Sequence, residues 1–193
     1  MGGAQRSLSK LSIEFSRQHA VWLVIFNRNE SIAYTHGGEL VSLDVESGEG
    51  LFRKITSFIQ RVNRLRKLKK DLSIDISISF LEGADYVNIL SRVKDKIILS
   101  VRGSKHHDET IAGKFSWLRN KILIPWLYRY SDAIVTVNHG IANELRTIYG
   151  LKKVNIFTIG NFYNIEKITR LALEPKEENL NRLYRDQIGR AHV

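Results

Sequence analysis

Ala20-Val21-Trp22-Leu23-Val24-Ile25-Phe26 is short and continuously apolar. A run of this length, rich in β-branched and aromatic residues, reads as a strand buried on both faces, as in a parallel sheet. Before it, Leu8, Leu11, Ile13 and Phe15 mark a helical pattern. After it, residues 38–45 alternate and read as a second strand. In residues 51–70, Leu51, Phe52, Ile55, Phe58, Ile59, Val62, Leu65 and Leu68 recur three or four apart. That spacing predicts an amphipathic helix with a strongly basic outer face. The rhythm repeats with strands at 74–81, 96–101, 133–138 and 154–159. Helices are expected at 84–93, 117–130, 141–149 and 165–173, with Pro125 kinking or restarting the second of these. Six strands alternating with helices predict an α/β fold, a Rossmann-like parallel sheet with helices on both faces.

Composition sets the limits around this pattern. The 193 residues suffice for one domain with a full core, and 43% hydrophobic with 26% charged residues is an ordinary globular balance. There is no cysteine, which excludes disulfides and thiolate metal sites. No apolar run reaches the roughly 18–20 residues that span a bilayer, and Met1-Gly2-Gly3-Ala4-Gln5-Arg6 lacks a signal-peptide core. A soluble, cytoplasmic protein is expected. The net charge of +10, from 30 Lys and Arg against 20 Asp and Glu, favours anionic partners: nucleic acid, anionic lipid or phosphorylated substrates.

In an open parallel sheet, ligands bind at the carboxyl ends of the strands. The loops at Gly2-Gly3, Glu82-Gly83, Arg102–Asp108, Asn138-His139 and Gly160-Asn161 are therefore expected to cluster at one edge of one sheet. Several of these strand ends carry a likeness. Gly2-Gly3-Ala4-Gln5-Arg6-Ser7-Leu8 resembles the GGAER-type loop of family 4 glycosyltransferases of the GT-B fold. Residues 78–84 and 98–104 are similar to that family's next two strand ends. Residues 130–141 resemble its "ADxIVAVSxGI" stretch, and residues 159–165 its "I-x-N-P-x-D-I" stretch.

The resemblance runs from Gly2 to about Leu173 and implies the N-terminal half of a GT-B fold. Residues 1–173 would be the acceptor-side domain, with its first strand missing before Gly2, and 174–187 the start of an interdomain linker. Residues 188–193, Ile-Gly-Arg-Ala-His-Val, look like a translated sequencing adapter and are expected to be non-native. The implied activity is retaining transfer of a sugar from a nucleotide-sugar donor to a glycan or lipid-linked acceptor in cell-surface polysaccharide or glycoconjugate biosynthesis. A second domain, absent here, would hold most of the donor. No cofactor and no metal is expected, the nucleotide sugar being a substrate. The fragment alone is expected to be inactive.

The candidate residues divide by chemistry. Gly2 and Gly3 would let backbone N–H groups approach the donor diphosphate at a helix N-terminus, against the simpler reading of a flexible chain end. Arg102 ends a buried strand where several relatives carry a histidine close to the reacting sugar. An arginine there is a fixed cation, suited to a phosphate or carboxylate or to a structural ion pair, and unable to act as a base. Glu82 sits where strand meets helix and would bind acceptor hydroxyls or favour the helix N-terminus. Asn138 reads as an N-cap, with His139 beside it facing the cleft; both are acceptor-binding candidates.

His106-His107-Asp108-Glu109 has poor metal-ligand spacing and reads as a solvated loop or an acceptor contact. On the helix at 51–70, Arg61, Arg64, Lys67, Lys69 and Lys70 are candidates for docking on an anionic membrane surface, against a plain solvated face. The alternative for the whole chain is a non-enzymatic basic nucleotide- or nucleic-acid-binding module. Against it, there is no Walker lysine motif and no GxGxxG after a strand, and no nucleic acid is expected as a partner. Replacing His106 and His107 together with alanine is expected to weaken acceptor use in the intact enzyme, and unchanged kinetics would reject that role.

Overall fold

The computed structural model describes residues 3–28, 34–105, 117–161, 163 and 165–173. The chain divides into residues 1–161 and 162–193. The first unit contains α1 (Gly3–Phe15), β1 (Trp22–Ile25), β2 (Glu39–Ser42), α2 (Leu51–Asp71), β3 (Ile76–Ser79), α3 (Glu82–Leu90) and β4 (Lys96–Val101). A π-helical turn over Arg119–Leu123 follows, then α4 (Ile124–Leu127), a 3₁₀ turn over Tyr128–Tyr130, β5 (Ala133–Thr136), α5 (His139–Thr147) and β6 (Asn155–Thr158). The second unit contains α6 (Ile165–Leu173). Residues 174–187 and 188–193 lie outside the described residues.

All six expected strands form, and every pairing is parallel. They form two sheets rather than the single one expected: β1 with β2, and β3-β4-β5-β6 in that order. The reason is in the ladders. Among the described residues β1 is bonded to β2 alone and β3 to β4 alone, so no hydrogen bonds join β1 to β3. Nor is β1 sealed on both faces as its sequence suggests. Leu23 is buried, but Val24 remains exposed. The strand sealed from water is β4, which has a partner on each side. Its Ile97, Leu99 and Val101 share one face by alternation and pack with Ile134, Leu127, Tyr128 and Leu145 in the main core.

Helix α1 presents hydroxyls inward. Its buried residues are Ser9 and Ser12 rather than the apolar positions of the helical pattern. Ser9 Oγ donates to the carbonyl of Thr35, and Ser12 Oγ accepts from the Gly37 N–H at 3.1 Å. This approach needs glycine. A Cβ on Gly37 would lie 2.6 Å from the Ser12 carbonyl oxygen, and Gly38 next to it has φ +82° with the Val21 carbonyl 2.3 Å from where a Cβ would sit.

The segment after residue 117 is helical, as expected, but not a single α-helix. Pro125 has no N–H and its ring crowds the preceding turn. The wide turn over Arg119–Leu123 absorbs this, closing with Ile124 N–H donating to the Arg119 carbonyl.

Helix α2 is held at its far end by a buried ion pair. Lys69 Nζ lies 2.8 Å from Asp95 Oδ2, with side-chain exposures of 3% and 0%. Its other donors meet Asn88 Oδ1 at 2.6 Å and the Asn88 carbonyl at 3.1 Å, while Ser77 Oγ lies 2.6 Å from Asp95 Oδ2. Burial pulls the lysine below its usual range, and the partner carboxylate opposes that shift. Lys69 therefore cannot belong to an outer basic face. Removing one member of such a pair strands a buried charge and costs about 3–5 kcal/mol. Lys69→Met is expected to lower the urea midpoint accordingly, whereas Lys67→Met and Lys70→Met, on the exposed side, are expected to change stability by less than about 0.5 kcal/mol.

Candidate functional site

The carboxyl ends of β3, β4, β5 and β6 carry Phe80, Arg102, Asn138 and Asn161 in turn. Arg102 sits at the middle of this edge, half-buried. Its Nε donates to Ser100 Oγ at 3.2 Å, its Nη1 donates to Asn161 Oδ1, and its guanidinium lies 5.5 Å from the Phe80 ring centre. One side chain thereby links the ends of β3, β4 and β6. Burial lowers the guanidinium's affinity for its proton, yet an arginine stays charged in proteins. It carries five N–H donors, of which these two contacts use two. The group is a fixed, oriented cation at the sheet edge, chemically matched to a phosphate or carboxylate.

Beside it, α5 begins. Asn138 Oδ1 accepts from the Ile141 N–H at 2.9 Å, the N-cap that its position in the sequence predicts. His139 and Gly140 are exposed on the first turn, and the helix N-terminus adds partial positive charge to the same edge. Gly3 opens α1, exposed, with nothing within 4 Å of where a Cβ would stand. Its φ is not in the left-handed region, so conformation alone does not demand glycine there. Gly2, His106 and His107 lie outside the described residues.

Glu82 opens the first turn of α3, the helix N-terminal place that its sequence position allows, and its carboxylate is engaged within the chain. Its Oε1 accepts from Arg119 Nε at 2.6 Å and from the Tyr86 hydroxyl at 2.7 Å. Its Oε2 accepts from Arg119 Nη2 at 2.7 Å and lies 3.2 Å from Lys105 Nζ. Burial pushes this carboxyl up, but the hydrogen bond from Arg119 and the charge of Lys105 outweigh it and hold it below its usual range. Its lone pairs are thus spent within the chain, and Glu82 positions neighbouring residues instead of offering acceptors to a sugar. Arg119 also donates to the Lys105 carbonyl at 2.9 Å. Ser104 Oγ and the Lys105 N–H donate to the Glu144 carboxylate at 2.6 and 2.7 Å. Arg119, Lys105 and Glu144 are contributions that the sequence reading misses. The available signal is Glu82 and Asp85, two acids in one helical turn with no nearby cation in sequence.

Asp85 is fully buried one turn further on, receiving the Ser79 and Tyr128 hydroxyls at 2.6 Å each. Among the basic-helix candidates, Arg61 Nη2 donates to the Val45 carbonyl, and Arg64 Nη1 to those of Leu43 and Asp44. Lys69 is buried, whereas Lys67 and Lys70 are exposed. Among the described residues no three His, Asp or Glu side chains come together as a metal site, and no helix is long and apolar enough to cross a membrane.

The model of Glycosyltransferase Family 4 matches residues 1–167. The chain belongs to that family. It is 28% identical over 134 residues to a Campylobacter jejuni enzyme, GalNAc-alpha-(1->4)-GalNAc-alpha-(1->3)-diNAcBac-PP-undecaprenol alpha-1,4-N-acetyl-D-galactosaminyltransferase, the match covering 69% of this chain and 36% of that protein. A crystal structure of a glycosyltransferase from Rickettsia africae has the same fold, with a TM-score of 0.57 at 13% identity over 100% of this chain and 48% of that one. The chain thus spans less than half the length of either relative. The expected fold and family are borne out, and the nucleic-acid-binding alternative is not favoured.

The Asp85 site yields a pH test. Burial raises its carboxyl to about 6, against the opposing pull of Lys105 and the two hydroxyls. The folded chain therefore holds this proton more tightly than the unfolded chain does, whose aspartate titrates near pH 3.9. Its contribution to stability is full below that value and is lost as pH rises through about 6, a span of about 2–3 kcal/mol. Asp85→Asn is expected to remove this loss, so that the stability of wild type relative to the variant falls between about pH 4 and 6.5 and then stays flat. Denaturant titrations at a series of pH values will show it.

Proposed function

We propose that this chain is the acceptor-side half of a retaining glycosyltransferase. The whole enzyme moves a sugar from a nucleotide-sugar donor onto a glycan or lipid-linked acceptor in the assembly of a cell-surface polysaccharide or glycoconjugate. The observation that carries this reading is Arg102, a guanidinium fixed at the carboxyl edge of the sheet in a chain of Glycosyltransferase Family 4. Its role is to bind and orient a phosphate or carboxylate near the reacting sugar. It supplies charge and not proton transfer, since it stays protonated at any working pH.

The open approach to Gly3 at the start of α1 suits the donor diphosphate, reached through backbone N–H groups. Asn138 and His139, at the start of α5, line the acceptor side. No cofactor or metal takes part. The enzyme works in the cytoplasm, with its acceptor presented at a membrane surface. The lipid-linked glycan in the name of the Campylobacter relative supports that choice of acceptor class.

The test is transfer by the polypeptide expressed from its intact gene, supplied with a panel of nucleotide sugars and isoprenoid-diphosphate-linked glycans. Turnover with at least one pair is expected, and it should persist in EDTA. Arg102→Ala should lower kcat/KM by about 10–100-fold, the worth of one or two hydrogen bonds to a charged group, with Arg102→Lys recovering part of the loss. Residues 1–193 alone should show no turnover. Binding of short nucleic acids without any sugar transfer would overturn the reading.

A further inference from the structure

Arg102 stands where β4 runs out of strand partners. The last bonded pair between β4 and β5 is Val101 with Thr136, and Arg102 follows it. The next residue is Gly103, which has nothing within 4 Å of where a Cβ would stand. Glycine gives the backbone its widest freedom. A cation placed between the end of a ladder and a glycine keeps a fixed direction only if the chain beyond the glycine is tethered.

That tether is present, and side chains supply it. The Lys105 N–H donates to Glu144 Oε1 at 2.7 Å, and the Lys105 carbonyl accepts from Arg119 Nη1 at 2.9 Å. Ser104 Oγ donates to Glu144 Oε2 at 2.6 Å, and Lys105 Nζ lies 3.2 Å from Glu82 Oε2. Both backbone polar groups of Lys105 are thus held by charged side chains, one from α5 and one from the π-helical turn. Hydrogen bonds with an ionised partner are the strong, short ones. Glu82 and Glu144 come from the helices that follow β3 and β5, the two strands flanking β4. The segment leaving β4 is therefore gripped from both neighbours.

Arg119 is the member on which the others converge. It is 2% exposed. Its Nε and Nη2 donate to the two Glu82 oxygens at 2.6 and 2.7 Å, and its Nη1 to the Lys105 carbonyl. Glu82 is itself braced by the Tyr86 hydroxyl, whose ring packs against the main core. Stability does not account for this arrangement, because well-packed apolar residues of similar volume often hold a fold as well as a buried ion pair does. What they do not do is fix the direction of a peptide group. The turn that carries Arg119 is also π-helical, a geometry that recurs at functional sites.

We propose that Arg119 is a positioning residue for sugar transfer, which with Glu82 and Glu144 fixes the Gly103–Lys105 segment and so holds Arg102 on its ligand. Arg119 is buried and touches no substrate; it acts through Arg102. The inference rests on the proposed role of Arg102 in binding a phosphate or carboxylate. A misplacement of about 1 Å in such a group lowers a rate by up to about 100-fold.

The test is a double-mutant cycle in the whole enzyme expressed from its intact gene, joined to hydrogen exchange. Arg119→Lys keeps the charge but lacks the planar fork that serves both Glu82 oxygens. It should lower kcat/KM about tenfold or more. In the Arg102→Ala background the same substitution should lower it less than about twofold, because residues that act as a unit are not additive. A role in folding alone gives the same fractional loss in both backgrounds, and that result overturns the proposal. Glu144→Gln loosens the segment from the α5 side and leaves Arg119 with Glu82. It should show the same non-additivity, and it decides the question if Arg119→Lys does not fold. The Lys105 amide should exchange with solvent at least about tenfold faster in either variant than in wild type. Unchanged exchange overturns the proposal as well. Faster exchange in an enzyme that transfers no sugar leaves the clamp standing and overturns the catalytic reading alone.

Discussion

The Lys69 ammonium is sealed from water against the Asp95 carboxylate, and its three donors all find acceptors. A buried charge of this kind tolerates very few positions, because each lost contact leaves a desolvated ion. The pair thereby fixes where α2 ends, at the foot of β4. Because the helix is stiff and its length is given, fixing one end also fixes how far the other end reaches past the sheet. The arginine contacts at Leu43–Val45 set its rotation. Together these contacts determine which side chains lie over the domain and which hang beyond it.

Much of the fold is legible in the sequence because hydrophobic periodicity reports burial directly. All six strands and their parallel sense follow from it, while the N-cap at Asn138 follows from its residue type at a strand-to-helix junction. What periodicity does not report is where the neighbouring layer stops. Leu51 and Val62 are equivalent in the pattern, yet only Val62 is covered. Nor does it distinguish a lysine that faces water from one that faces a carboxylate, so Lys69 reads as surface from sequence. The burial of Ser9 and Ser12 is hidden for the converse reason, since their partners are backbone groups at Thr35 and Gly37, which have no side-chain signature.

The candidate site was legible in part. Arg102 is visible as a charge ending a buried run, and the structure puts it at the carboxyl edge of the sheet. Its neighbours were less so. Phe80 and Asn161 come to Arg102 only because β3, β4 and β6 end at one level, which depends on ladder register. Glu82 shows the limit in the other direction. A carboxylate at a strand end suggests a ligand contact, but Arg119, 37 residues away in sequence, takes both its oxygens. Only three-dimensional proximity reveals that claim.

The cluster of Glu82, Lys105, Arg119 and Glu144 also constrains how this chain can diverge. Each carboxylate satisfies more than one partner, and Arg119 is buried with its charge, so no member can be exchanged without orphaning another. Exposed positions such as Lys67 or Lys70 can change one at a time. Glu82, Lys105 and Arg119 therefore change at least cost together, since loss of either cation leaves a half-buried carboxylate short of a partner.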